Sequence, residues 1–225
     1  EMCIRDRRIL RDSRALEQAI ADHRPEERRI LRIGSYTSIS RNWLPPVLKG
    51  FGAQFPDVQL TVKDGSCMDI EQWLMKGAID VGLLSNCFSA PLEFLPLLQD
   101  PYYAVLPPEE RPGETFDISA FNGRTFFIPS KGVDTEVLRI LERSGVTPRF
   151  SLIATEDSAV IKMVEQGLGC SLLSELILRG NTDHVSLVPI DPPAFREVGA
   201  AVRSLKKVGP ILRSFLHYIR RDAEK

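Results

Sequence analysis

The apolar positions of this chain change period near residue 30, and the change marks its organisation. Over residues 8–24, Ile9, Ala15, Leu16, Ala19 and Ile20 recur at near-helical spacing among charged neighbours. That spacing predicts one amphipathic helix, ended by the disfavour of Pro25 for helix in the residue before it. From Arg32 short strand-like runs alternate with helix-like stretches. Leu31-Arg32-Ile33-Gly34 predicts a strand entering a turn at Ser35-Tyr36-Thr37-Ser38, and Trp43, Leu44, Val47, Leu48, Phe51 and Phe55 line one face of the next helix. Val58–Val62 alternates like a strand. Ile70, Trp73 and Leu74 belong to a helix that stops at Gly77, the residue type favoured just past a helix, and Ile79–Leu84 is a third strand.

The same order then repeats. Thr125–Ile128 reads as a strand, Val137, Leu138 and Leu141 line a helix that ends at Gly145, and Phe150–Ala154 reads as a second strand. Val160, Ile161 and Val164 mark another helix ending at Gly167, and Cys170–Leu173 is the closing strand. Between the units lies a strand at Tyr102–Leu106. After them come strands at Leu187-Val188 and Val198–Val202, then an amphipathic helix carrying Ile211, Leu212, Phe215, Leu216 and Ile219. Strands alternating with helices at this spacing predict an α/β fold with parallel, covered sheets. The expected architecture is two βαβαβ lobes around a central cleft, residues 31–100 with 188–225 forming the first and 101–187 the second. A cleft between two joined lobes suits a hinged small-molecule binder.

Composition narrows the classes further. The 225 residues are 43% hydrophobic and 26% charged, which excludes intrinsic disorder. Twenty-nine basic and 30 acidic residues give a net charge of −1, which excludes a globally basic nucleic-acid binder. No run approaches the ~20 apolar residues of a membrane span, and no apolar leader is visible, so a cytoplasmic protein is expected. Cys3, Cys67, Cys87 and Cys170 are scattered and form no C-x-x-C pair. They read as four reduced thiols serving as small apolar groups.

No catalytic, metal or phosphate-loop signature occurs. Gly167-x-Gly169 lacks a third glycine at Leu172 and lies between helix and strand in the wrong order for a dinucleotide site. The polar residues that recur sit at strand-to-helix turns: Ser35, Thr37, Ser38, Ser66 and Cys67 in the first unit, and Pro129, Ser130, Thr135, Thr155 and Ser158 in the second. In doubly wound lobes such turns gather at the carboxyl edge of the sheet, where ligands bind. Each hydroxyl alone reads as a helix cap, and the argument for a site is their convergence. Asp64, Asp134, Glu156 and Asp157 lie in the same turns and oppose an anion, so the ligand's charge stays open. Trp43 and Trp73 read as core residues, and Arg203, Lys206, Lys207, Arg213, Arg220 and Arg221 as a solvated face.

Several of these pieces carry a family resemblance. Leu31–Gly34, Leu44-Pro45, Phe51 through Phe55-Pro56-Asp57-Val58, Asp64-Gly65 and Leu74 through Gly77-Ala78-Ile79-Asp80-Val81-Gly82-Leu83 resemble the effector-binding domain of LysR-type transcriptional regulators. So do Ala104-Val105-Leu106-Pro107 and Val164 through Leu173, and the resemblance spans about residues 31–221. It implies a type 2 periplasmic-binding-protein fold with a small-molecule effector between the lobes, contacted by Ser38, by Ser66 or Cys67, and by Pro129-Ser130. It further implies that residues 1–30 hold the end of a linker helix, and that DNA is read by a winged helix-turn-helix outside these residues. A homodimer or homotetramer is implied, pairing residues 43–55 with 135–144. Neither cofactor nor catalysis is expected. The competing reading is a solute-binding protein or an enzyme of the same fold.

Overall fold

The computed structural model describes residues 29–128, 135–151, 156–180 and 184–223, with Arg29, Thr135 and Ser151 described by their backbones alone. The helix expected over 8–24 lies outside these residues. In the first lobe β1 (Arg29–Ser35) pairs in parallel with β2 (Val58–Asp64) on one side and with β3 (Val81–Ser85) on the other. Leu31, Ile33, Val81 and Leu83 face one side of this sheet, where α2 (Leu44–Gln54) and α7 (Pro210–Ala223) cover them. Phe51 of α2 meets Phe215 of α7 edge to face, ring centroids 5.2 Å apart. Burying each such ring contributes about 1.5–3 kcal/mol. A short helix unforeseen in the sequence, α1 (Thr37–Asn42), precedes α2.

The opposite face is covered by α3 (Cys67–Lys76) through Ile70 and Leu74. It comes close because β3 carries Gly82, where a Cβ would stand 2.5 Å from Ile70. Gly77 ends α3 in the left-handed region at φ 68°, which glycine adopts without steric cost. Trp43 and Trp73 are half-buried at the edges of these cores, and Lys63 Nζ lies 3.8 Å from the Trp73 ring centroid. The basic residues from Arg203 to Arg221 are exposed.

The second lobe repeats the plan with shorter strands. Here β6 (Thr125–Phe127) pairs in parallel with β7 (Arg149–Ser151), and α4 (Thr135–Arg143) and α5 (Asp157–Glu165) supply its helices. The expected closing strand divides its allegiance. Cys170 makes a parallel bridge to Phe126, while β8 (Ser171–Ser174) runs antiparallel to β4 (Glu93–Leu106) and leads into a short α6 (Glu175–Leu178). The large sheet, which holds β4 and β8, is therefore mixed, whereas the alternation of elements predicts parallel sheets; the small β6–β7 sheet is parallel as expected.

Two strand connections cross between the lobes. The 14-residue β4 pairs with β10 (Phe195–Val202) along its first part, and with β8 and β9 (Ser186–Asp191) along its second. A two-residue β5 (Phe116-Asp117) extends the sheet beside β9. Val188 and Ile190 pack in the second lobe's core, so the chain returns to the first lobe after β9 and not at 188.

Candidate functional site

The carboxyl ends of β1, β2 and β3 bring three turns of the first lobe together. The amide of Tyr36 donates to the carbonyl of Leu83, and that of Gly65 to the carbonyl of Ser35, which closes the edge of the sheet. Ser35 is fully buried and its hydroxyl donates to the Tyr36 carbonyl at 3.1 Å. Thr37 is exposed at the start of α1. Ser38 is buried, and its Oγ accepts from Arg196 Nη2 at 3.0 Å.

That arginine anchors a charged centre at the crossing. Arg196 and Asp100 face each other across β10 and β4, and Arg196 Nε donates to Asp100 Oδ2 at 2.8 Å. Their side chains are 5% and 1% exposed, so the pair is out of solvent. Burial works against the guanidinium charge, but the Asp100 carboxylate, with Tyr102 and Glu136 beyond it, holds Arg196 above the ordinary arginine range. Asp100 Oδ1 also accepts from the amide of Leu176, and Asn42 Nδ2 donates to the Leu176 carbonyl at 2.6 Å. One carboxylate thus ties the first turn of α6, whose Leu176 packs in the first lobe's core, to both crossing strands.

A second polar line runs from the first lobe to the second. Tyr36 Oη lies 3.0 Å from Cys87 Sγ and 3.3 Å from Ser85 Oγ. Ser85 in turn donates to Glu136 Oε2 at 3.0 Å, and Tyr102 Oη donates to the same oxygen at 3.5 Å. Glu136 sits in the first turn of α4, so this line spans the cleft. Beside it, at the start of α6, the Ser174 hydroxyl is buried without a hydrogen-bond partner among the described residues.

The remaining expected residues separate clearly. Ser66 caps α3: its Oγ accepts from the Asp69 amide, and the Asp69 carboxylate accepts from the Ser66 amide and hydroxyl. Those Ser66 contacts draw the Asp69 carboxyl below its usual range. Cys67 is joined to Cys87 in a disulfide, a correction to the expectation of four reduced thiols. The two cysteines stand 20 residues apart in sequence, but the turns that carry them meet at one edge. Pro129, Ser130 and Thr155 lie outside the described residues, and Thr135 is the first residue of α4. Among the described residues no group of three or more His, Cys, Asp or Glu side chains is placed to hold a metal ion.

Sequence reasoning missed Tyr36, Ser85, Cys87, Asp100, Tyr102, Glu136 and Arg196. Two of these carried a signal. Arg196 shares a strand face with Val198, Ala200 and Val202, and Asp100 shares one with Tyr102, Ala104 and Leu106, so each is a charge on an otherwise apolar face.

A family model described as the LysR substrate binding domain matches residues 24–224. The uncharacterized HTH-type transcriptional regulator YvbU of Bacillus subtilis (strain 168) is 24% identical over 223 residues, covering 96% of this chain and 75% of that protein. The CcmR regulatory domain of Synechocystis PCC6803, solved in complex with 2-PG, superposes with a TM-score of 0.79 at 22% identity, over 87% of this chain and 98% of that one. The BenM effector binding domain with its effector benzoate gives 0.76 at 20% identity, over 87% and 92%. The fold is that of type 2 periplasmic binding proteins, two α/β lobes about a cleft.

Proposed function

The chain belongs to the LysR substrate-binding domain family and is the effector-binding part of a LysR-type regulator, and from that premise we propose that a small polar molecule bound between its lobes controls DNA binding by the whole protein. The observation that carries this reading is the line from Tyr36 and Ser85 in the first lobe to Glu136 in the second, at the edge where the turns converge. A ligand that inserts into this line exchanges lobe-to-lobe hydrogen bonds for its own and so changes how the lobes sit. Thr37 and Ser38 line the near side of the proposed site; the contacts expected of Pro129, Ser130 and Thr155 fall outside the described residues. Ser66 acts as a cap and Cys67 as half of a cystine.

In this reading residues 1–30 end a linker to a winged helix-turn-helix. Residues 31–100 with the C-terminal stretch form one lobe, and the stretch from 101 through β9 forms the other. The regulator works in the cytoplasm as a homodimer or homotetramer and carries out no catalysis; its support is the kinship with transcriptional regulators.

A thermal-shift screen of small polar metabolites tests the proposal. A ligand at 100 times its Kd adds about 2.7 kcal/mol, a rise of roughly 5–10 °C for a chain of this size. Glu136→Gln changes the affinity of a true cleft ligand. A hit whose affinity is untouched by Glu136→Gln and by Ser85→Ala binds elsewhere and overturns the assignment.

A further inference from the structure

We propose that the Cys67–Cys87 cystine is a redox modification site, a reversible thiol–disulfide switch that sets how firmly the two lobes are linked. Its two sulfurs come from different turns, Cys67 from the first position of α3 and Cys87 from the connection after β3, with Cα atoms 6.7 Å apart. Both residues are half-buried at the edge of the sheet, within reach of a small thiol. Cys170 is the opposite case: it is fully buried, and burial pushes its thiol up to about 11.

Position gives the cystine its consequence. Cys87 Sγ touches Tyr36 Oη, Tyr36 Oη touches Ser85 Oγ, and Ser85 donates to Glu136 on α4. The disulfide is therefore the near end of a line whose far end is in the other lobe. Breaking it leaves the local wall standing, because the Glu71 carboxylate of α3 accepts from the amides of Ser89 and Ala90 in the same connection. Phe88 and Leu92 also pack there against α3. This second tether separates a switch from a structural staple: the bond can open without unfolding the edge it joins.

The exchange balances with a pair of small thiols. One thiolate attacks Cys87 Sγ, the S–S bond breaks, and Cys67 leaves as a thiolate, which the positive end of the α3 helix favours. A second thiolate resolves the mixed disulfide. Two thiols are oxidised to one small disulfide while the cystine takes up two electrons and two protons. Once reduced, Cys87 can donate as well as accept, and so competes with Ser85 for Tyr36 Oη. For a regulator in a reducing compartment, which rests on the reading above, a cystine is expected to exchange and not to persist.

The test uses the whole chain equilibrated in mixtures of reduced and oxidised glutathione, quenched in acid, labelled with N-ethylmaleimide and read by peptide mass at Cys67 and Cys87. Hydrogen–deuterium exchange on the two forms follows residues 86–92 and α4. The pair should cycle in both directions with far-ultraviolet circular dichroism unchanged, and reduction should speed exchange in both segments at least threefold. The Cys67→Ser/Cys87→Ser variant should match the reduced form in every mixture; if it does not fold, the two forms of the natural chain decide. A cystine that dithiothreitol cannot open in the folded chain, a pair that oxidised glutathione cannot close, or α4 exchange identical in both forms overturns the proposal. No step requires effector or DNA. Failure here leaves the regulator reading standing, and an empty ligand screen leaves the switch standing.

Discussion

Two polar assemblies stand side by side between the lobes, and they are built for different work. The Arg196–Asp100 centre is charged, almost entirely out of solvent, and tied to Ser38, to Leu176 and to both crossing strands. The Tyr36–Ser85–Glu136 line is mostly hydroxyl groups ending on one half-buried carboxylate. A buried charge left alone is expensive, so the first assembly stays paired whenever the chain is folded. Ser85 is itself fully buried, but its contact carries one neutral partner and ends on a half-buried carboxylate. Exchanging it therefore costs less than uncoupling two buried charges. The comparison assigns permanence to the crossing and adjustability to the cleft.

The harshest way to break that comparison is Arg196→Met. It strands the Asp100 carboxylate in the interior, and such a loss typically costs about 3–5 kcal/mol. Urea denaturation should show it as a drop in midpoint at unchanged slope. Asp100→Leu added to Arg196→Met should recover part of the loss, since the stranded charge is gone. A loss below about 1 kcal/mol would mean that water reaches the pair and that the crossing is no more permanent than the cleft.

A buried group whose burial no opposite charge outweighs sharpens the same point. In Arg196 the neighbouring carboxylate overcomes burial; in Cys170 burial prevails, against the weaker pull of Arg124. The folded chain therefore holds the Cys170 proton up to about pH 11, while the unfolded chain releases it near 9. Between those values the unfolded state binds fewer protons and gains on the folded one, so stability falls as pH rises, by about 2–3 kcal/mol across the window. Urea titrations of the natural chain and Cys170→Ala at pH 8 and pH 10.5 should differ in this slope, the variant being the flatter. Equal slopes would mean that the thiol is solvated.

How much of this was legible depends on how local each cause was. The buried run Val81–Leu84 and the stop at Gly77 lie within a few residues of their causes, and both read correctly. The first part of β4 did not, because Pro96 argues against a strand and the pairing that makes it one lies far away on β10, where the register shifts at Val198/Gly199. The charged centre was half-visible: each charge stands out on its own strand, but the partners are 96 residues apart. The cysteine pair was hidden by an argument from compartment, which turned attention from the convergence of turns already expected for Ser66 and Ser35. Glu136 carried no pattern at all, since an acidic residue in the first turn of a helix is ordinary dipole chemistry.

The gentlest change addresses the adjustable side of the comparison. Ser85→Ala removes the donor that joins the first lobe to Glu136 and should cost about 1–2 kcal/mol, the range of a hydrogen bond to a charged group that water partly replaces. Ser66→Ala serves as its control. It removes a helix cap in the same lobe at a cost of about 1 kcal/mol. It is read in the reduced chain, where Cys67 next to the cap is no longer bonded to Cys87 and so has no covalent link to the line that ends on α4. Stability alone does not separate the two variants, because their losses are alike. Hydrogen–deuterium exchange does: Ser85→Ala should speed exchange in the first turn of α4, across the cleft, whereas Ser66→Ala should speed it only at the start of α3. If both variants leave α4 unchanged, Glu136 is held within its own lobe, and the line across the cleft transmits nothing.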